Sequence, residues 1–160
     1  MRGFTLTELI VTIGIVSILL ALGGLAYNNW TTIYQIEAQV RKMQSDLTQA
    51  RLNAMERKRQ YYVIMSANKY QIAVDMNYSE SLDSSPTDSY QAAVPIAYPV
   101  SWTGTLVMNT SGIVSSTTTS AMPISIPIVS SKTNLNYNCL QIYPTRISSG
   151  LMQGDDCVAK

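Results

Sequence analysis

The sequence contains no histidine. That removes the commonest general base, the usual partner of a nucleophilic serine or cysteine, and the commonest zinc ligand. Charge is scarce too: Lys, Arg, Asp and Glu make up 13% of the residues, where a soluble domain usually carries roughly 25%. The 11 basic and 10 acidic residues leave the chain near neutral. There is one Phe against 10 Tyr. Tyr can bury its ring and keep its hydroxyl wet, which suits a small β-rich domain with a shallow core. A Gly-rich phosphate loop and a paired-carboxylate motif are also missing. Together these absences argue against an enzyme and against a cofactor. A length of 160 residues fits one modest domain plus an appendage.

Only two cysteines are present, Cys139 and Cys157, both in the last quarter of the chain. In an exported chain such a pair bridges, and the closed loop of about 20 residues stabilises by about 3 kcal/mol. In a reducing compartment they are two buried thiols instead.

What the chain does have begins at its N-terminus. From Phe4 to Tyr27 it reads FTLTELIVTIGIVSILLALGGLAY, with Glu8 as the one charge. About 20 such residues in a helix cross a hydrocarbon core of about 30 Å. Arg2 precedes the run and the next basic residue is Arg41. The positive-inside rule therefore keeps Met1–Gly3 in the cytoplasm and sends the remainder outward. A secretory signal has a shorter apolar region and a small-residue cleavage site. Here the apolar run passes into a helical pattern without a clear cut. Glu8 near one end of an apolar span is costly unless paired or functional, or else it sits solvated among headgroups.

The segment Gly3-Phe4-Thr5-Leu6-Thr7-Glu8-Leu9 resembles the class III signal of type IV prepilins and type II secretion pseudopilins. That signal is a short basic leader ending in Gly, then Phe, a Glu at this spacing and a long apolar run. The resemblance implies that a prepilin peptidase cuts between Gly3 and Phe4 and that the new amine of Phe4 is methylated. It also implies that Glu8 of an incoming subunit pairs with the Phe4 amine of one already in the fibre, setting axial register. The chain lacks the proline that many major pilins carry late in this segment. Gly23-Gly24 is the nearest weak point, either a place where the helix melts in the fibre or one of close helix approach.

Beyond the apolar run, Ile33, Ile36, Val40, Met43, Leu47, Ala50 and Ala54 recur at spacings of three and four, one stripe of an amphipathic helix. One continuous helix from Phe4 to about Arg57, roughly 80 Å long, is expected. The cluster Arg57-Lys58-Arg59 closes it, either against the C-terminal dipole or as a nucleic-acid patch. The pattern then changes to β. Gln60–Met65 and Tyr70–Val74 read as a hairpin. Residues 76–91 read as a loop, and Ile96–Trp102 as holding a short strand. Thr105–Met108 and Ile113–Ser115 flank a turn at Asn109–Gly112. Pro123–Ile128 reads as an edge strand. Cys139–Tyr143 and Thr145–Ser148 form a closing pair.

The expected fold class is α+β: a leader at 1–3, a transmembrane or fibre-core helix at 4–27, an amphipathic helix at 28–59, and a small antiparallel sheet at 60–160 packed on the helix. The order is similar to the GspH/FimT family of minor pseudopilins and minor pilins. The likeness lies in Leu47–Arg57, Arg59–Val63, Leu106–Val114, and Cys139–Gly150 with Cys157. It implies a structural subunit acting in fibre initiation or at the tip. The implied partners are other pilins or pseudopilins, prepilin peptidase and an inner-membrane assembly platform. The chain would be held single-pass in the bacterial inner membrane, with its head in the periplasm until it enters a pilus or pseudopilus. Major pilus subunit and DNA-binding minor pilin for natural transformation are the alternatives. In some relatives the last strands carry two arginines that bind DNA; here Arg146 stands alone. Residues 61–160 hold four basic and six acidic side chains, a net of −2, which on average repels phosphate. Asp155-Asp156 is a conceivable calcium site, though adjacent aspartates are commonly a solvated turn.

Overall fold

The computed structural model describes residues 3–83 and 88–160, with backbone alone at 21–26. Met1, Arg2 and Pro86 lie outside the described residues. The chain divides into two compact units, Met1–Gln35 and Ile36–Lys160. One helix, α1 (Leu6–Arg57), contributes to both. It runs on through Gly23-Gly24 and ends where expected, with Arg57 in the last turn and Lys58 in the left-handed region at φ 53°. A left-handed residue after the last turn is the usual way a helix stops.

From Leu9 to Leu20 the helix presents apolar side chains on every side. Leu9, Ile10, Val11, Ile13, Ile15, Val16, Ile18 and Leu19 are all exposed. Because they are nearly consecutive, they cover all faces rather than one stripe. Among the described residues no helix is long and apolar enough to cross a membrane. The side chains described from Leu6 to Leu20 account for about 22 Å of helix, short of the roughly 30 Å hydrocarbon core.

In the second unit the expected stripe is the core from Ile36 onward; Ile33, at its start, lies in the first unit and is half-buried. Ile36, Val40, Met43, Leu47, Ala50 and Ala54 are all buried. Against it, among the described residues, lie ten strands in two antiparallel sheets, not the single sheet expected. The larger sheet runs β3 (Ser89–Tyr90), β2 (Lys69–Val74), β1 (Tyr61–Ser66), β5 (Gly104–Met108), β6 (Val114–Ser116), with β4 (Val94–Pro95) also on β2. The smaller runs β10 (Asp156–Ala159), β9 (Ile147–Gln153), β8 (Cys139–Ile142), β7 (Ile124–Pro127). The first hairpin turns on Ala67-Asn68, because Ser66 and Lys69 already pair across it. β7 is an edge strand, as Pro127 within it and Pro123 just before it favour.

Four expectations need correction. Residues 96–102 form no strand, only a bridge from Val100 to Ile128; the short strand lies earlier, at β4. The loop after β2 ends sooner, at β3. The closing pair is a three-stranded meander, because β10 adds to β9. The core is also deeper than a half-buried Tyr set implies: Tyr61, Tyr62 and Tyr70 are almost wholly buried. Two of them meet their hydroxyl needs inside the protein, Tyr62 by donating to Gln60 Oε1 at 2.9 Å and Tyr70 by donating to Asp46 Oδ2.

The disulfide Cys139–Cys157 is formed. It joins β8 to β10, which are separated by β9. In a flat sheet, Cα atoms two strands apart lie about 9.6 Å from each other. Here the separation is 6.1 Å, so the sheet folds sharply about β9.

Polar side chains fix the helix within this unit. Gln39 exchanges two hydrogen bonds with the Tyr98 backbone, at 2.6 and 3.0 Å. Glu37 Oε1 accepts from Asn136 N and Nδ2 at 2.8 and 3.0 Å. Arg51 Nε donates to Gly112 O. Gly112 has φ 75°, and a Cβ there would run into Met55. That close approach is what the glycine in the Asn109–Gly112 turn allows.

Candidate functional site at the helix N-terminus

The residues singled out for processing and assembly lie together at the start of α1. Gly3 has open space around it, and Phe4 is 80% exposed. Among the described residues, nothing covers this junction. Thr5 then opens the helix. Its Oγ1 accepts a hydrogen bond from Glu8 N at 3.3 Å, and its carbonyl accepts from Leu9 N at 3.2 Å. Thr5 is thus the N-cap, and Glu8 occupies the third helical position, the spacing of a capping box.

That geometry says why a carboxylate belongs at position 8. The first turn of a helix leaves backbone N–H groups without partners and carries the positive end of the helix dipole. Glu8 is the one acidic residue in that turn. The cost of Glu8 in an apolar run says nothing of Thr5, and sequence reasoning on that cost alone misses the cap. The signal is present as Thr5-x-x-Glu8.

The hydroxyls farther along are absorbed by the helix itself. Thr12 Oγ1 donates to Leu9 O at 2.8 Å, and Ser17 Oγ donates to Ile13 O at 2.8 Å. Thr31 and Thr32 do the same toward Tyr27 and Asn28. None of these four needs water to satisfy its donor.

The other candidate residues are in the second unit. Cys139 and Cys157 are bridged. Arg146 is exposed in the turn between β8 and β9, where its guanidinium lies 4.3 Å from the Tyr143 ring centroid. Asp155 and Asp156 are exposed at the turn into β10, beside Gly154 with φ 65°. Among the described residues no group of three or more His, Cys, Asp or Glu could hold a metal ion.

Two carboxylates that nothing in the sequence marks out are buried, Asp75 and Asp88. Asp75 accepts from the backbone N–H groups of Asn77, Ser79 and Glu80 at 3.1, 3.3 and 2.9 Å. Asp88 accepts from Met76 N and Asp83 N at 3.3 and 2.7 Å. They organise the segment after β2, in which Tyr78 and Glu80 hold left-handed φ of 59° and 56°. Hydrogen bonds from Asn77 and Ser79 hold the Asp83 carboxyl below its ordinary range. Arg59 lies outside the helix: it donates to the carbonyls of Asp75 and Met76 and covers the Tyr78 ring at 4.3 Å. Of the basic cluster, Arg57 alone falls in the last helical turn.

Residues 1–24 match the family model described as the prokaryotic N-terminal methylation motif. The match covers the first three residues, the capped start of α1 and most of its apolar run, and it supports a type IV pilin-like chain. No curated protein and no solved structure matches the chain.

Proposed function

We propose that this chain is a structural subunit, a minor pilin or pseudopilin of the GspH/FimT kind, assembled through α1 into a type IV pilus or a type II secretion pseudopilus. The observation that supports it most is the capped helix start, with an exposed Gly3-Phe4 junction before it and a helix apolar on all faces after it. On this reading a prepilin peptidase cuts after Gly3, and the amine of Phe4 is methylated. The first α1 turns hold the subunit single-pass in the inner membrane, with residues 36–160 outside. Backbone groups bonded within the helix, and hydroxyls bonded to the same backbone, suit a medium without water.

Cleavage leaves a cation at Phe4 close to Glu8, in surroundings otherwise apolar. A charge in such a medium is expensive, and an opposite charge offsets the cost. Glu8 of an entering subunit therefore seeks the Phe4 amine of its neighbour, which fixes how far the helix travels. The subunit acts early in the fibre or at its tip and performs no chemistry of its own. A metal or other cofactor has no part in this function.

The test uses the native host. Mature protein should begin at N-methylated Phe4, and Glu8→Leu should be processed normally yet lost from filaments. Mature protein retaining Met1, or filaments that take up the variant as well as the parent, would overturn the proposal.

A further inference from the structure

We propose that Tyr27, Trp30 and Tyr34 form an aromatic band that seats the subunit in the ester and headgroup layer of the bilayer on the side away from Phe4. The inference rests on the membrane reading above and adds a depth to it.

The first support is placement. Spacings of three and four bring the three side chains to one side of α1. Each is well exposed, at 65%, 67% and 65%. The Trp30 and Tyr34 rings stack with centroids 6.4 Å apart and planes 23° apart. The pair therefore presents one broad plate whose faces are apolar and whose edge carries an N–H and an O–H. Such rings are poorly served by water, which leaves the faces wet, and by lipid tails, which leave the donors unpaired. The ester layer serves both.

The second support is distance. Between Glu8 and Glu37 the sequence has no charged residue, and its aromatic residues in that interval are these three, all near the far end. At 1.5 Å per residue Trp30 stands about 33 Å along the helix from Glu8, close to the roughly 30 Å of a hydrocarbon core. With Glu8 at the near boundary, the band falls at the far one. Asn28, Asn29, Thr31 and Thr32 are interleaved with it. Amides are costly in the hydrocarbon and common at its edge.

The experiment uses the full chain in phosphatidylcholine vesicles. The sequence has two Trp, so Trp102→Phe leaves Trp30 as the single indole. Its fluorescence is quenched in turn by lipids brominated near the ester, by lipids brominated near the chain end, and by aqueous iodide. Quenching by the shallow bromines should exceed that by either other quencher about twofold. Strongest quenching by deep bromines or by iodide, with the protein still floating with the vesicles, would overturn the band and leave the membrane helix standing. Failure to float with vesicles would overturn the membrane reading itself. Shallow quenching that emerges only when the protein is diluted in lipid would assign these rings to a second copy of the chain, and would also overturn the proposal.

Discussion

Gly150 lies against the Cys139–Cys157 bond: a Cβ built on it would come within 3.0 Å of Cys157 Sγ and would also meet the Val158 carbonyl. Gly150 pairs with Cys139 on one side and with Ala159 on the other. It is the point on β9 over which the disulfide passes, and the missing side chain lets the outer strands close to 6.1 Å. A strand interior normally disfavours glycine, except where another backbone comes this close.

Gly150→Ala should therefore destabilise the head by about 1–3 kcal/mol, as overpacking does. The midpoint of denaturant unfolding under non-reducing conditions measures it. Part of the penalty should vanish in a Cys139→Ala, Cys157→Ala background. The remainder belongs to the Val158 carbonyl, which stays in place.

Removing the disulfide by that double substitution should lower stability by about 3 kcal/mol, the entropy of closing a loop of this length. The separation is 18 residues. Reduction with dithiothreitol should shift the unfolding midpoint in the same direction. A midpoint unmoved by either treatment would show that the folded sheet holds its strands without the bond.

Much of the architecture is legible in the residues themselves. The stripe from Ile36 to Ala54 marks the buried helix face because apolar residues at a period of 3.6 among charges face one way, and two to three heptads are too few for a coiled coil. The run from Tyr61 to Val74 marks the first hairpin. The last strand, Asp156–Ala159, is invisible for a physical reason: four residues with one exposed Asp and one half-exposed Val form no pattern until β9 lies beside them. The second sheet is hidden likewise, because nothing local distinguishes one sheet of ten short strands from two. At the helix start, Glu8 stands out and Thr5 does not, though their spacing encodes the cap.

The cap makes its own prediction. Thr5→Ala should cost about 1 kcal/mol of local helix stability, and Thr5→Ser should restore it. Amide exchange in the first turn of α1, followed for the full chain in detergent, should quicken only in the alanine variant.

Asp75→Ala should leave the N–H groups of Asn77 and Glu80 without their acceptor, and Ser79 N with Asn77 Oδ1 alone. These residues are exposed and water can reach them, so the loss should be about 1 kcal/mol, the net worth of an ordinary hydrogen bond, for each bond removed. The loss should appear first as faster exchange of those three amides, and next as a lower unfolding midpoint. Asp155→Ala, at an exposed turn, should change neither.

Alkaline pH should weaken the head. The Tyr62 hydroxyl is pushed up from 10.0 to about 12, by burial first and then by the charges of Asp75, Asp88, Asp83 and Glu80. Tyr70 moves the same way, through burial and its hydrogen bond to Asp46. Both ionise less readily folded than unfolded, so their contribution is whole below pH 10 and is lost as pH climbs through the raised value. The unfolding midpoint should fall from about pH 10 to about pH 12, and Tyr62→Phe should flatten part of that fall.

The hydroxyls of Thr12 and Ser17 end on carbonyls of their own helix. This part of the molecule consequently makes no demand on what surrounds it. Oily tails and the flanks of sibling rods are equivalent solvents for it, and exchanging one for the other strands no donor along the way. On the proposed assembly, the resistance to moving this helix from lipid into a fibre would lie at its two extremities, where a carboxylate stands at one end and a cluster of rings at the other.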